Sequence, residues 1–354
     1  MITRFLTISF MALCLISCSS SGYDDPDTPD TPQQSIAFGG NSGTWQDAST
    51  SRAAASTGLE TLFPSFKVWG YKTTDNTTQT VIDGYTVAHD TDWEYVGINN
   101  QTVKYWDYSA SDYRFWAYAP ADANITTTEN SFQIPYTYNP DATATDVPYI
   151  SYLWYAQKQL SADGYGSTVT LTFAPIIAKV RFRFNYPDGT KSISIRGIRF
   201  RDNRFIADPT TADTPLGGTL TATYPKTGIP TANTPPLGLH ADYTGQLTLT
   251  VPYEDENADI HITPQVAAYN KWYYVPPLAD IGYGQGAYTI TAHIDGKETT
   301  ATVPSQYMQW RAGYQYTYIF KITEAGSISF ANMNVEQWLT GSNNDNNGTG
   351  TEGW

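Results

Sequence analysis

The sequence predicts an all-β protein built of stacked antiparallel sheets. Three observations carry that prediction. Apolar residues recur at every second position in one segment after another, the period of a half-buried strand. Gly, Pro, Asn and Asp separate those segments at intervals of roughly 8 to 15 residues, the rhythm of a β-sandwich. No stretch carries an apolar stripe of helical period over three turns, and a short helix near Thr57–Leu62 is the most it offers.

Composition agrees. Lys and Arg number 20 against 34 Asp and Glu, a net charge of −14 in 354 residues. Phosphate neutralisation needs clustered cations, so nucleic acid is excluded as a partner. Only 15% of residues are charged, while 14% are aromatic, 27 of them Tyr. That is too apolar for a disordered chain and too poor in charge for a helical bundle. The length has room for about two domains.

Residues 1–17 read as a leader rather than as fold. Arg4 precedes an apolar run, Phe5–Ile16, broken only by Thr7 and Ser9. The run is too short to span a bilayer as a lone helix. It ends in Leu15-Ile16-Ser17-Cys18, which resembles a bacterial lipobox. That resemblance implies cleavage between Ser17 and Cys18, acylation of Cys18 by palmitate or a similar chain, and a lipid anchor in the outer membrane. The alternative is an ordinary secretory signal in which Cys18 is incidental. Cys14 and Cys18 are the only cysteines. The mature chain would therefore hold no disulfide framework, thiolate metal site or Cys nucleophile.

Residues 18–35 set Asp24, Asp25, Asp27 and Asp30 among Pro26, Pro29 and Pro32. Such a segment cannot bury a core and reads as an acidic, Pro-rich tether. The acidic pair after Cys18 also resembles the surface-export signal of lipoproteins in the Bacteroidota; a plain solvated linker accounts for it equally.

Strands follow. Residues 36–165 are expected to form an N-terminal sandwich and 166–341 a C-terminal one. Val169-Thr-Leu171-Thr-Phe173 alternates cleanly, as does Val180-Arg-Phe182-Arg-Phe184, with Arg181 and Arg183 on the wet face. Ile193–Ile195, Leu247–Val251, Ile260–Ile262, Tyr288–Ala292, Tyr314–Tyr318 and Ile328–Phe330 repeat the pattern. Asp83-Gly84, Pro187-Asp188-Gly189 and Asp295-Gly296 read as turns. The Gly-rich stretch Ser161–Ser167 reads as the domain break. Ala207–Leu237, dense in Pro, Thr and Gly, reads as one long loop inside the second domain. Residues 342–354 form a small, polar tail.

Little in the chain points to catalysis. His89, His240, His261 and His293 form no paired metal-ligand motif, and no Gly-x-Ser-x-Gly elbow occurs. Glu254-Asp255-Glu256 and Asp259 offer carboxylates to a cation but lack the spacing of an EF-hand loop, and read first as a solvated hairpin tip. Gly282–Gly286 precedes a strand, not a helix, so it is a turn rather than a phosphate cradle. No enzyme activity, cofactor or metal is expected. The aromatics from Trp93 to Tyr118 lie at strand spacing and are expected in a core. Trp272-Tyr273-Tyr274, beside Pro276-Pro277, is the candidate exposed recognition patch.

The ordered set of motifs resembles the fimbrillin, or Mfa-like (type V pilin-like), lipoprotein family of Bacteroidales. It runs through Phe66-Lys-Val68-Trp69-Gly70-Tyr71, then Tyr105-Trp106-Asp107-Tyr108 and Tyr113–Pro120. Val169–Pro175 with Lys179–Phe182, Trp310–Tyr316 and Val335-Glu-Gln-Trp338 complete it. The resemblance implies two transthyretin-like β-sandwich domains in tandem, on a surface-exposed, non-enzymatic fimbrial subunit that mediates adhesion. It further implies that a protease cuts after an Arg in an early loop, freeing the first strand so that a neighbouring subunit's strand can fill the vacated groove. Arg52, followed by Ala53, stands at the corresponding place. It is the first basic residue after Arg4 and lies among small residues open to a protease; an ordinary loop Arg is the other reading. The partners implied are other fimbrial subunits, the outer membrane through its lipid, and a host protein or glycan. One departure concerns the tail, which has no apolar alternation after Leu339. Only Gly326–Leu339 could donate a strand, and it reads equally as the last strand of its own domain. Stalk, tip and anchor roles stay open. The alternative function is a surface glycan-binding lipoprotein using exposed Trp and Tyr.

Overall fold

Among the described residues, alternation in the sequence becomes four β-sheets. The computed structural model describes residues 34–42, 59–128, 131–156, 164–202, 215–225, 238–251, 253, 259–280 and 286–338. The first sheet holds, in spatial order, β1 (Phe38–Ser42), β9 (Val169–Pro175), β8 (Tyr149–Ala156), β5 (Asp112–Ala119), β2 (Ser65–Thr74), β3 (Thr77–His89) and β4 (Trp93–Glu94). The second holds β13 (Gly238–Ala241), β12 (Thr219–Pro225), β7 (Ser131–Thr137) and β6 (Thr126–Thr127). The third runs β16 (Ala268–Tyr269), β10 (Ala178–Asn185), β20 (Tyr314–Ile322), β21 (Ile328–Gln337), with β17 (Tyr273–Val275) also on β10. The fourth runs β14 (Thr248–Thr250), β11 (Ile193–Asp202), β18 (Tyr288–Ile294), β19 (Lys297–Val303), with β15 (Ile260–Ile262) also on β11.

Two strand pairs run parallel, β1 with β9 and β10 with β20; the other pairings among these strands are antiparallel. Inward residues of the first two sheets share one apolar core, in which the Trp69 and Phe132 rings lie 4.6 Å apart. Inward residues of the third and fourth share another, with Phe182 and Phe200 at 5.0 Å. The chain first passes from one core to the other between Ile177 and Ala178, returns to the first with β12 and β13, and ends there again at Trp338. Tyr138 and Leu216 pack against both.

Val169, Leu171, Phe173, Val180, Phe182 and Phe184 are all buried, as their spacing predicts. Two expectations are corrected. Asp83-Gly84 is not a hairpin turn. It lies inside β3, where pairing with β2 jumps from Val68↔Tyr85 to Gly70↔Ile82. Gly84 takes a positive φ of 64° there, with the Trp69 indole 3.1 Å from where a Cβ would sit, so the Gly serves a bulge. The reversal itself uses Asp75 and Asn76, both at positive φ. Nor is Ala207–Leu237 one loop: Thr219–Pro225 forms β12 and pairs residue for residue with Ser131–Thr137 of β7. Leu220 and Ala222 alternate inward, a signal hidden by the Gly and Pro around it.

Candidate functional site

Residues 34–42 are gripped from both flanks. On one side Ile36 N–H donates to Lys104 O at 2.8 Å, and Trp106 N–H to Gln34 O at 3.0 Å. On the other, Val169 N–H donates to Ala37 O at 2.8 Å. Pairing then runs in parallel from Phe38↔Val169 to Ser42↔Phe173. Ile36 and Phe38 point inward, and Phe38 is only 3% exposed. Its ring meets Tyr95 edge-on at 5.8 Å and Phe115 at 5.5 Å. The Tyr95 hydroxyl donates to Ile36 O at 2.8 Å and accepts from Lys104 N–H at 3.1 Å. Burial pushes the Tyr95 phenol above its usual range, so it remains a donor at neutral pH. A Cβ on Gly40 would come within 3.0 Å of Leu59 and 3.3 Å of Phe66. The seat thus takes two large side chains, Ile36 and Phe38, two positions apart, and at Gly40 it has no room for a third.

The 104–107 flank is itself braced. Asp107 N–H donates to the Tyr113 hydroxyl at 2.7 Å, and Lys72 Nζ meets the Asp107 carboxylate at 2.5 Å. Hydrogen bonds from Lys72, and then from Ser109, draw the Asp107 pKa down to about 2.

At the other end of the chain, β21 pairs antiparallel with β20 from Tyr314↔Gln337 to Ile322↔Ile328. Gly326–Leu339 therefore contains the last strand of its own sheet. Trp338 follows it and is buried in the first core, 6.1 Å from Tyr149 and 5.4 Å from Tyr274, its N–H donating to Gly313 O.

Ser17, Cys18, Arg52 and Ala53 lie outside the described residues, as do Glu254–Glu256. Asp259 is described: its buried carboxylate pairs with Arg196 at 2.6 Å and belongs to no solvated tip. Of the expected aromatic patch, Tyr273 is 4% exposed and sits in the second core, its hydroxyl donating to Thr250 O. This corrects its assignment to an exposed surface. Trp272 and Tyr274, on the opposite face, are half-buried. Among the Trp93–Tyr118 aromatics, Tyr95, Trp106, Tyr113, Phe115, Trp116 and Tyr118 are buried, while Tyr105 and Tyr108 are exposed.

Sequence reading missed how the outer face of β10 is built. Cations and rings alternate across it. Lys179 Nζ lies 4.9 Å from the Trp338 ring and 4.5 Å from Trp272; the Arg181 guanidinium lies 4.4 Å from both Trp272 and Tyr269; Arg183 lies 5.7 Å from Tyr269. The period-two cations at 179, 181 and 183 were the available signal. Their partners come from elsewhere in the chain, through the antiparallel registers Arg183↔Tyr269 and Lys179↔Tyr274.

Comparison with known proteins gives three findings. The profile of a family described as fimbrillin-like matches residues 51–338. No curated protein matches. Solved structures similar to this one include a candidate cell adhesion protein from Bacteroides ovatus, at 12% identity and TM-score 0.48, covering 87% of this chain and 98% of that one. Another, from Bacteroides uniformis, has 13% identity and TM-score 0.45 over 88% and 100% of the two chains. A fimbrial protein from Bacteroides vulgatus has 15% identity and TM-score 0.45 over 86% and 99%.

Proposed function

The chain belongs to the fimbrillin-like family, and from that premise we propose that it is a fimbrial subunit that assembles by exchanging β1 for a strand of a neighbouring subunit. The observation that carries this reading is the seat of β1. The strand is short, pairs in parallel with β9, and leads toward a segment containing Arg52. After a cut between Arg52 and Ala53, β1 would be held by non-covalent contacts alone. Burial of Ile36 and Phe38 contributes about 1.5–3 kcal/mol each, a strength that an incoming strand with matching side chains can compete with. Its departure would leave the β9 edge unpaired and the Tyr95–Phe115 groove open, and a donor strand would satisfy both.

On the same reading, Cys18 carries the lipid that holds the subunit at the outer membrane until or unless it is cut, and assembled subunits meet a host protein or glycan. Direct glycan capture by exposed Trp and Tyr has less support, because Tyr273 is buried and the Trp272 ring already packs against Lys179 and Arg181.

Treatment of the purified chain with an Arg-specific protease tests the exchange, with oligomers followed by gel and electron microscopy. Ladders or fibres are expected from the wild type and none from Arg52→Ala. Cleavage at Arg52 with no assembly would count against it. Loss of palmitate labelling in Cys18→Ala is the expected sign of the anchor, and retained labelling would exclude that cysteine.

A further inference from the structure

The seat of β1 reads its occupant position by position. Position 36 takes a large aliphatic side chain, and position 38 an aromatic ring that meets Tyr95 and Phe115. Ala37, between them, is exposed, so its side chain is free to vary. At Gly39 a Cβ would meet Thr168 at 3.7 Å and Thr170 at 3.9 Å, which is ordinary contact. At Gly40 it would lie 3.0 and 3.2 Å from Leu59 atoms and 3.3 Å from Phe66. Gly40 does not take a positive φ, so contact, not backbone strain, bars a side chain there. Both neighbours are fully buried. Leu59 heads a turn in which its carbonyl accepts from Leu62 and Phe63 N–H, each at 2.9 Å. The Phe66 ring is backed by Trp93 at 4.9 Å and Phe173 at 5.1 Å.

The last strand of the chain begins as β1 does. Ser35-Ile36-Ala37-Phe38-Gly39-Gly40 corresponds to Ser327-Ile328-Ser329-Phe330-Ala331-Asn332 at the start of β21. Both large anchors match, and the difference that meets the wall is Asn332 in place of Gly40. In its own sheet Asn332 is exposed and follows a bulge, where pairing jumps from Phe320↔Phe330 to Ile319↔Asn332.

We propose that the Leu59–Phe66 wall is a filter: the seat admits a partner strand of the form large aliphatic–x–aromatic–x–Gly and refuses the Ile328–Asn332 segment of its own or a second copy.

The division of labour is physical. Backbone pairing with β9 and with the 104–106 flank uses N–H and C=O groups that any strand supplies, so it carries no selectivity. The two anchors supply burial but do not tell β1 from β21. Discrimination therefore falls on the position where a side chain meets an unyielding wall, which is specificity by rejection. The proposal rests on the strand-exchange reading and names the kind of strand that exchange can use.

Two experiments test it. In the intact chain, hydrogen exchange is read at Val169 N–H and Trp106 N–H, which are bonded to Ala37 O and Gln34 O. A37S/G39A brings in the β21 residues at the tolerant positions and should change exchange by less than about threefold. G40N should accelerate it about 10- to 100-fold. In trans, labelled peptides are added to the full-length F38A chain, whose own β1 is weakened, and binding is followed by fluorescence anisotropy. The peptide of residues 34–42 should bind at least about tenfold more tightly than its G40N form or the peptide of residues 326–334, and N332G should restore the latter. If G40N or F38A is unfolded by circular dichroism, the other experiment decides. Wild-type protection in G40N overturns the proposal, as does equal binding of the 34–42 and 326–334 peptides, or binding of neither to folded F38A. Failure of strand exchange is read separately. Selective binding without fibres after Arg cleavage removes only the exchange, and fibres whose growth both peptides block equally remove only the filter.

Discussion

Replacing Phe38 by alanine should loosen β1 while leaving the second core intact. Phe38 is 3% exposed and meets both Tyr95 and Phe115 edge-on. Truncating a buried Phe to Ala removes about 3–5 kcal/mol. The upper part of that range applies where surrounding groups cannot move in. Here Phe115 is fixed in β5, between β2 and β8, and Tyr95 is pinned by its bonds to Ile36 and Lys104. If the loss falls on the opening of β1, the open fraction rises by about 100-fold to several thousandfold, at 1.4 kcal/mol per tenfold. Native-state hydrogen exchange reads this directly. Two amides report on the segment: Val169 N–H, which donates to Ala37 O, and Trp106 N–H, which donates to Gln34 O. Asn270 N–H, bonded to Phe182 O beside the second core, is the reference. Val169 and Trp106 should exchange faster by that factor and Asn270 should not change. Unaltered protection at Val169 and Trp106 would refute the reasoning. Equal acceleration of all three would refute it too, because β1 would then leave only when the whole chain unfolds.

Three further outcomes are expected. Gly40→Val drives side-chain atoms toward Leu59 and Phe66 and should weaken the seat by about 1–3 kcal/mol; the same amides report it, and wild-type exchange would show that the seat has spare room. The Lys72 and Ser109 hydrogen bonds hold the folded Asp107 pKa at about 2, below its ordinary 3.8, so its contribution is complete above the unfolded value and is lost as pH falls through the folded one. The melting temperature of Asp107→Asn should therefore fall less than that of the wild type between about pH 4 and pH 2, and parallel curves would contradict the assignment. Arg114→Met strands Asp112, whose carboxylate lies 3.3 Å from the guanidinium with both side chains buried, and should cost about 3–5 kcal/mol in urea unfolding. A loss below about 1 kcal/mol would mean that Asp112 is accommodated without its cation.

Much of the fold was legible because burial in a strand follows a strict period. Val169, Leu171 and Phe173 had to share a face, and they do. The same rule places Tyr273 opposite Trp272 and Tyr274; reading the three as one block concealed it. Asp83-Gly84 misled for another reason. A bulge and a hairpin both ask for a positive φ, and only the partner strand distinguishes them. The seat of β1 was not legible at all. Phe38 pairs with Val169 and packs on Phe115, partners from distant parts of the chain, and nothing local fixes a parallel register between them. The cation and ring stack was hidden similarly, since Trp272 and Lys179 meet only once β17 has paired with β10.

Trp338 also decides how the chain would bear load. It is the last described residue, carried by the final strand of the third sheet, yet its indole is embedded in the first core. A pull on the chain beyond it cannot begin by peeling β21 off β20 one pair at a time. The indole must leave the first core and the Trp338 backbone N–H must release Gly313 O first, so tension enters at the seam between the cores and is shared by both before the hairpin bears any of it.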